Sequence, residues 1–594
     1  MENKSNLNTF HLGLTMAGAV SAGAYTAGFM DYILEALSAW EEAKKQNETN
    51  PNSNIPHHNV IIDAIGGASA GGMVSMITTL ALCSGKIEPV REVSDIKTGN
   101  ILYDSWVFLD DDDSLYDGSG KGKTTFEKML SIDDFKDNKS APSLLNSKPI
   151  DNIAEQVFEL LPEDASVNKL PDYISKDLRV LLTVTSLRPL DYKVKLSKIK
   201  SKFLDSTPGH RISNHDIVAH FKLKFDEIAD KNKFLPFCPF IKNRMNASGE
   251  ELKSNRDFLI KVTKATGAFP IGLEPRYFDV EFPMDYVYNS LKERKSFNAQ
   301  MDIELKLNTE RDFQFTAVDG GAINNEPFDE VLRCLVANHG PEDSVNPKYG
   351  TVLIDPFPNF EDEVVSGTPN YQKTTIMDII GDLIPTILNQ ARNKHNDTYG
   401  VGLFKLMAFP RKLKFGKLEE VDHPPLATGG IGGFGGFIDI QFRKHDFFLG
   451  RKNAKNFLRG IMFMEYDEND KNNLFYNVNK NAVKKFRKIV KQIDGTEKIF
   501  LPIIPDVSKL DINDDANPSS YKVQNFPKFD KNAFRKLEKP IRSRVKEILK
   551  AELNDKLSGW LWSLSKGIVI GQLSRKIVKW TIATIEKDFT KRGM

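Results

Sequence analysis

The stretch that most constrains this chain is a β-branched run, Val60-Ile61-Ile62, which passes through Asp63-Ala-Ile-Gly-Gly-Ala-Ser-Ala-Gly-Gly into an apolar helix starting near Met73. Val74, Met76, Ile77, Leu80 and Leu82 make that helix apolar around most of its circumference, so it is expected to be buried. A strand followed at once by a buried helix is a unit of α/β sheets. At the junction, Gly67-Ala68-Ser69-Ala70-Gly71 fits G-x-S-x-G. Small neighbours let the backbone turn sharply without covering the hydroxyl, and the helix N-terminus offers unpaired N–H groups and positive potential. Ser69 is therefore the candidate nucleophile. A bare G-x-S-x-G also arises by chance, so its weight depends on the rest of the chain.

The same alternation precedes it. Phe10 to Met16 reads as a strand, Ala17 to Ala24 as a small-residue turn, and Phe29, Ile33, Leu37 and Trp40 as one apolar helical face that fades near Lys44. Two such units predict a parallel sheet with reactive groups at the strand ends. Arg179 to Thr185 is a run suited to a strand buried on both faces. A helix from Phe258 is stopped by Gly267 and Pro270, and Phe313 to Val318 forms a strand whose end delivers Asp319-Gly320-Gly321. The two glycines let that acid approach another strand end closely. A helical stretch around Glu330 to Val336 and an apolar strand, Thr351 to Ile354, favour this placement over a simple hairpin turn.

Three of these segments, in this order, resemble the patatin-like phospholipases, serine lipid acyl hydrolases with a Ser–Asp dyad and no catalytic histidine. Asp63 to Gly72 is similar to the family's nucleophile segment, Ala265 to Ile271 to its small-residue Phe-Pro element, and Val318 to Gly321 to its acid segment. The resemblance spans roughly residues 8 to 360 and implies a three-layer α/β/α core with a mainly parallel central sheet. It implies Ser69 as nucleophile, Asp319 as general base, and an oxyanion hole from the N–H groups of Gly18, Ala19 and Ala70, with Gly67, Gly71, Gly320 and Gly321 supporting the turns. One departure stands out. Gly18 and Gly23 match the family's Gly-rich segment, but two of its glycines and its arginine are missing from Gly18 to Gly23. Backbone N–H groups do not depend on the side chain, so the hole can still form if the turn tolerates Cβ atoms.

In dyad chemistry, Ser69 Oγ attacks an ester carbonyl, Asp319 accepts its proton, and water then hydrolyses the acyl-enzyme. A free aspartate, with a pKa of about 3.9, is a poor base, so Asp319 is expected to be desolvated. The competing mechanism is a Ser–Asp–His triad, with His339, His395, His423 or His445 as base; none of them has a sequence context that demands it.

Composition narrows the rest. With 40% hydrophobic and 27% charged residues and a net charge of +1, the chain has the balance of a soluble globular protein and not of a nucleic-acid binder. The N-terminus has no apolar signal region, and no run of eighteen apolar residues occurs, so neither secretion nor a membrane span is expected. Cys83, Cys238 and Cys334 are few and far apart, which suits a reducing, cytoplasmic setting and builds no CxxC metal site. No metal or other cofactor is expected. Lys121 to Thr124 has a superficial likeness to a phosphate loop but lacks the glycine and strand that such a loop needs, and the acidic run Asp110 to Asp113 does not have calcium-loop spacing. That run reads as a solvated loop.

The expected organisation is a catalytic domain over 8–365, with an insertion at about 87–162, and a mainly helical C-terminal region over 366–594. Within the latter, Ile376 to Leu388 reads as an amphipathic helix, Thr428 to Phe437 as a Gly-rich surface loop or a gate beside a lipid-sized pocket, and 465–530 as loops. The basic end, 535–594, carries 15 Lys or Arg against 6 Asp or Glu, and three of the chain's five tryptophans: Trp560, Trp562 and Trp580. It reads as a helix pair that packs onto the core, or lies on an anionic bilayer with Trp at headgroup depth. The expected activity is hydrolysis of acyl esters in phospholipids or related lipids, at a membrane surface facing the cytoplasm. The alternative is a catalytically weak relative that docks on membranes or in assemblies. Either reading leaves a homo-oligomer open.

Overall fold

Strand β1 (Thr9–Met16) and strand β2 (Asn59–Gly67) lie side by side and parallel at the centre of the computed structural model. The structure describes residues 8–50, 52–84, 87–135, 141–159, 170–194, 210–223, 235–236, 244–245, 251–252, 255–298, 303–305, 311–341, 345–358, 404–408, 410, 412–414, 417–419, 426–507, 526–556 and 560–594. The other strands of the main sheet named here are β3 (Ile174–Val194), β4 (His210–Lys222), β5 (Arg276–Phe278), β6 (Phe315–Asp319), β7 (Tyr349–Ile354) and β8 (Phe404–Ala408). Their order is β8-β7-β1-β2-β3-β6-β5, with β4 also on β3. From β8 to β3 every pairing is parallel, whereas β6 runs antiparallel to β3 and β5, and β4 antiparallel to β3. The fold is thus mixed α/β with a mostly parallel sheet, as the alternation of elements predicts.

The length of β3 shapes the whole sheet. One edge of β3 is taken by β4 across Arg179–Thr185. The other edge is therefore shared, first by β2, which ends with Gly67 opposite Leu182, and then by β6, which ends with Asp319 opposite Val184. Because β2 is parallel and β6 antiparallel to β3, the two strands run head-on and their C-terminal ends meet. At about 3.3 Å per residue along β3, Leu182 and Val184 are only about 7 Å apart.

Helices cover both faces. Helix α2 (Ser69–Cys83) has all its residues buried and packs on β1, β2 and β3. Burial of Val74, Ile77 and Leu80 contributes roughly 1.5–3 kcal/mol each. Beside α2 lie α1 (Gly23–Gln46) and α4 (Asn255–Thr266), with α3 (Lys148–Glu159) against α4. Helix α5 (Met284–Asn298) leans on β4, and α6 (Phe328–His339) covers the opposite face over β1, β2 and β7.

Sequence beyond residue 365 is built into this core. Helix α7 (Ile440–Gly460) runs along α1, with Gly28 against the Phe447 carbonyl and Gly450 against the Tyr25 carbonyl, so the two backbones nearly touch. Arg451 on α7 pairs with Asp31 and Glu35 on α1. The stretch read as loops after residue 465 instead contains an antiparallel sheet, β9 (Phe463–Glu465), β10 (Lys488–Lys491) and β11 (Glu497–Pro502). The end of the chain is the expected helix pair, α8 (Glu538–Lys556) and α9 (Trp560–Lys591). Val578, Ile582, Ile585 and Phe589 of α9 cluster with Phe442, Phe529 and Phe534, while Trp580 is 70% exposed. No helix among the described residues is long and apolar enough to cross a membrane. The helix read over Ile376 to Leu388 lies outside the described residues.

Candidate active site

Serine 69 is the first residue of α2. The chain leaves β2 extended at Ala68 and reverses at Ser69, whose φ of +51° is a strained value for a residue with a Cβ. Small residues make this turn feasible. A Cβ on Gly71 would lie 2.2 Å from the Met16 carbonyl oxygen, and one on Gly67 would lie 2.4 Å from the Gly71 backbone. The start of α2 is therefore pressed onto the end of β1. The Ser69 N–H does not face the cavity; it donates to Thr266 Oγ1 at 3.0 Å, which pins the turn to the end of α4.

The meeting of β2 and β6 brings Asp319 to this serine across 250 residues of sequence. Ser69 Oγ donates to Asp319 Oδ2 at 2.5 Å, and the Gly321 N–H donates to Oδ1 at 2.6 Å. The Asp319 N–H is given to the Ala268 carbonyl at 2.8 Å, so the Phe-Pro element holds both partners. Gly320 sits directly on the Thr183 backbone of β3, where a Cβ would be 2.2 Å from the carbonyl oxygen. Ser69 and Asp319 are 6% and 3% exposed. A carboxylate held by a backbone donor on one oxygen, with a hydroxyl on the other and little water around, is arranged to take that hydroxyl's proton.

The three candidate oxyanion positions differ. Gly18 touches the serine, since a Cβ there would be 2.8 Å from Ser69 Cβ, but its N–H donates to the Asn325 carbonyl at 3.2 Å. Ala70 lies in the first turn of α2, where backbone N–H groups have no intrahelical acceptor, and it lines the cavity above Ser69. Ala19 has φ −151° and is followed by Val20 at φ +50°, a second strained turn, with Val20 facing the cavity. Of this group, Ala70 and Val20 line the cavity beside Ser69, whereas the Gly18 N–H is already engaged.

The cavity at Ser69 is narrow, about 40 Å³, and almost wholly apolar, with Met73, Ile77, Trp106, Leu109 and Phe269 among its walls. Phe437 also lines it, and sequence reading placed that residue on a surface loop or a gate beside a lipid-sized pocket. The Gly-rich segment is instead packed: the Ser21 hydroxyl donates to the Gly433 carbonyl and accepts from the Gly436 N–H at 3.0 Å, and Phe434 stacks edge-on against Phe269. A larger charged cleft of about 670 Å³, lined by Glu155, Arg256, Lys261 and Arg276 among others, does not include Ser69 or Asp319.

Other expectations are revised. The acidic run is half buried, because Asp111 is bonded to Arg443 at 2.6 Å and to Thr125, and Asp110 to Lys128. Thr124, in the segment resembling a phosphate loop, caps a short helix by a box with Glu127. Of the histidine candidates, His339 faces Asp63 and His445 faces Asp446, while His395 and His423 lie outside the described residues. Sequence reading missed Thr266 and Asn325; a hydroxyl two residues before the Phe-Pro element's alanine was the only local hint of the first.

Among known proteins, a family model described as patatin-like phospholipase matches residues 14–332. An uncharacterized protein, y4iI, of Sinorhizobium fredii (strain NBRC 101917 / NGR234) is 25% identical over 616 residues, covering 98% of this chain and 82% of the relative.

Proposed function

The chain belongs to the patatin-like phospholipase family, and from that premise we propose that it hydrolyses acyl esters of membrane phospholipids or related lipids through Ser69 and Asp319. The observation that carries this reading is the 2.5 Å bond from Ser69 Oγ to Asp319 Oδ2 inside an apolar cavity. Asp319 takes the hydroxyl proton as Oγ adds to the ester carbonyl. The tetrahedral oxyanion is met by N–H groups of Ala70 and the Ala19–Val20 turn, and by the positive end of α2. Collapse releases the alcohol with a proton returned by Asp319, and water attacks the acyl-enzyme by the same exchange. The apolar walls suit an acyl chain, although the cavity must widen to admit one, because lipid-sized sites are roughly 300–1,000 Å³.

Membrane association at the cytoplasmic face fits the same reading. Ile271 is 76% exposed two residues after the cavity residue Phe269, and its carbonyl accepts from Leu144, itself 50% exposed. On α9, exposed Ile568, Val569, Leu573 and Trp580 lie near exposed Lys576 and Lys579, a composition suited to anionic headgroups. The test is fatty-acid release from anionic phospholipid liposomes by wild type beside Ser69→Ala, with release expected only from wild type. A second reading, a docking or assembly protein with little turnover, is favoured by the engaged Gly18 N–H and the narrow cavity. Liposome binding without release by clean, folded protein would select it.

A further inference from the structure

Strand β2 carries one residue too many for its neighbour β1 at Asp63. Its pairing with β1 passes from Leu12–Ile62 to Gly13–Ala64, and with β3 from Ile62–Ile174 to Ala64–Arg179, so both ladders skip Asp63. Such a bulge turns a side chain out of the strand's alternation. Onto this carboxylate two imidazoles converge. His11 of β1 places Nδ1 2.9 Å from Oδ2, and His339, the last residue of α6, places Nε2 2.5 Å from the same oxygen. The two rings are stacked with centroids 3.7 Å apart. Asp63 is 5% exposed at its side chain, and each histidine 21%. His11 Nδ1 is itself buried and, despite its closeness to Oδ2, is not aligned for a hydrogen bond.

We propose that His11, Asp63 and His339 form a site for a divalent transition ion of the zinc class. Their donor atoms lie within 4.8 Å of one another. Two imidazoles and one carboxylate are a donor set that such ions favour over magnesium or calcium. Metal–ligand bonds of about 2.0 Å require donors roughly 3.3 Å apart, so each histidine nitrogen need retreat by less than about 1 Å. Partly exposed rings can do this by side-chain rotation, and their exposure admits a water as fourth ligand. Asp63 lies four residues before the end of β2 at Gly67, about 13 Å along the strand from the turn that carries Ser69, so the ion would tie the start of the sheet to the end of α6 and take no part at the serine. This assignment stands whether or not Ser69 is catalytic.

The probe is Zn²⁺ itself. Full-length protein stripped with a chelator and dialysed against Zn²⁺ should retain one ion per chain by elemental mass spectrometry, and Co²⁺ in its place should give the visible absorption of a low-coordinate site. Zn²⁺ should raise the thermal midpoint of wild type only. His11→Ala and His339→Ala should each weaken binding by more than the ~10–100-fold that loss of an outer-shell partner costs. His339→Gln keeps a donor for Asp63 and so separates metal loss from misfolding: it should unfold like the stripped wild type yet retain no ion. Wild type that retains no Zn²⁺, or variants that retain it equally, would reduce the three side chains to a hydrogen-bonded cluster and overturn the site.

Discussion

Replacing Asp319 by asparagine removes the proposed base while changing almost nothing in volume, and the structure dictates how the amide must sit. The Gly321 N–H reaches the Oδ1 position at 2.6 Å and the Ser69 hydroxyl reaches Oδ2 at 2.5 Å. If the amide oxygen stays on Gly321, its NH2 group faces Ser69 Oγ and the serine proton has no acceptor there. If the amide flips, the NH2 group confronts a buried backbone N–H, at a cost of about 1–3 kcal/mol. The first arrangement therefore wins, and in neither does the amide accept a proton. Loss of general-base catalysis typically costs ~10²–10⁴-fold, which is about 3–5 kcal/mol of barrier. The assay is kcat on a short-chain fluorogenic ester, together with the rate of labelling by a serine-directed phosphonate, which needs the same activation. Both should fall by that factor while the thermal midpoint barely moves. An Asp319→Asn enzyme within ~10-fold of wild type, with His445→Ala inactive instead, would refute the dyad in favour of a triad.

Three further outcomes follow from other parts of the molecule. Gly28→Ala puts a Cβ 1.9 Å from the Phe447 carbonyl oxygen, so α1 and α7 must separate; denaturant titration should show a loss of about 1–3 kcal/mol or more, and an unchanged midpoint would contradict the close crossing. Burial lowers the pKa of His58 and of His220 to about 3 and raises that of Asp31 to about 6. Each histidine binds a proton more readily when unfolded, so its contribution is intact above pH 6.5 and is lost as pH falls toward 3, while Asp31 works in the opposite sense between pH 6 and 3.8. At pH 5 the histidines lose about 2 kcal/mol each and Asp31 returns about 1, a net loss of about 3 kcal/mol against pH 7; equal denaturant midpoints at the two pH values would contradict it. Trp580→Glu, on the exposed face of α9, should weaken sedimentation with anionic liposomes severalfold and leave hydrolysis of a soluble ester intact; unchanged sedimentation would remove α9 from the membrane face.

What could be read from sequence was what is local. The turn at Ser69 needs small residues next to a buried strand and helix, and all of these lie within two dozen positions. Asp319-Gly320-Gly321 was legible for the same reason. That the two meet head-on along one edge of β3 was not, because it depends on where β4 chooses to pair. Asp111 looks solvated only until Arg443, 332 residues away, is placed beside it. The sheet of β9 to β11 escaped notice because its outer strands are wet, with Ile489 and Val490 nearly half exposed, so no hydrophobic alternation announces it. The trio of His11, Asp63 and His339 has no ligand spacing to detect, since each comes from a different element.

The contact between Ser21 and the segment Gly433 to Gly436 also carries a consequence in time. A ribosome makes Ser69 early and Phe437 roughly 370 residues later, a delay of about 20–70 s at ~5–20 residues per second. Until then the nascent chain owns the serine, and later the aspartate, but lacks one wall of the cavity and the brace that Gly433 and Gly436 give to Ser21. A protein proposed to cut membrane lipids would thus complete the wall of its cavity only late in its own synthesis.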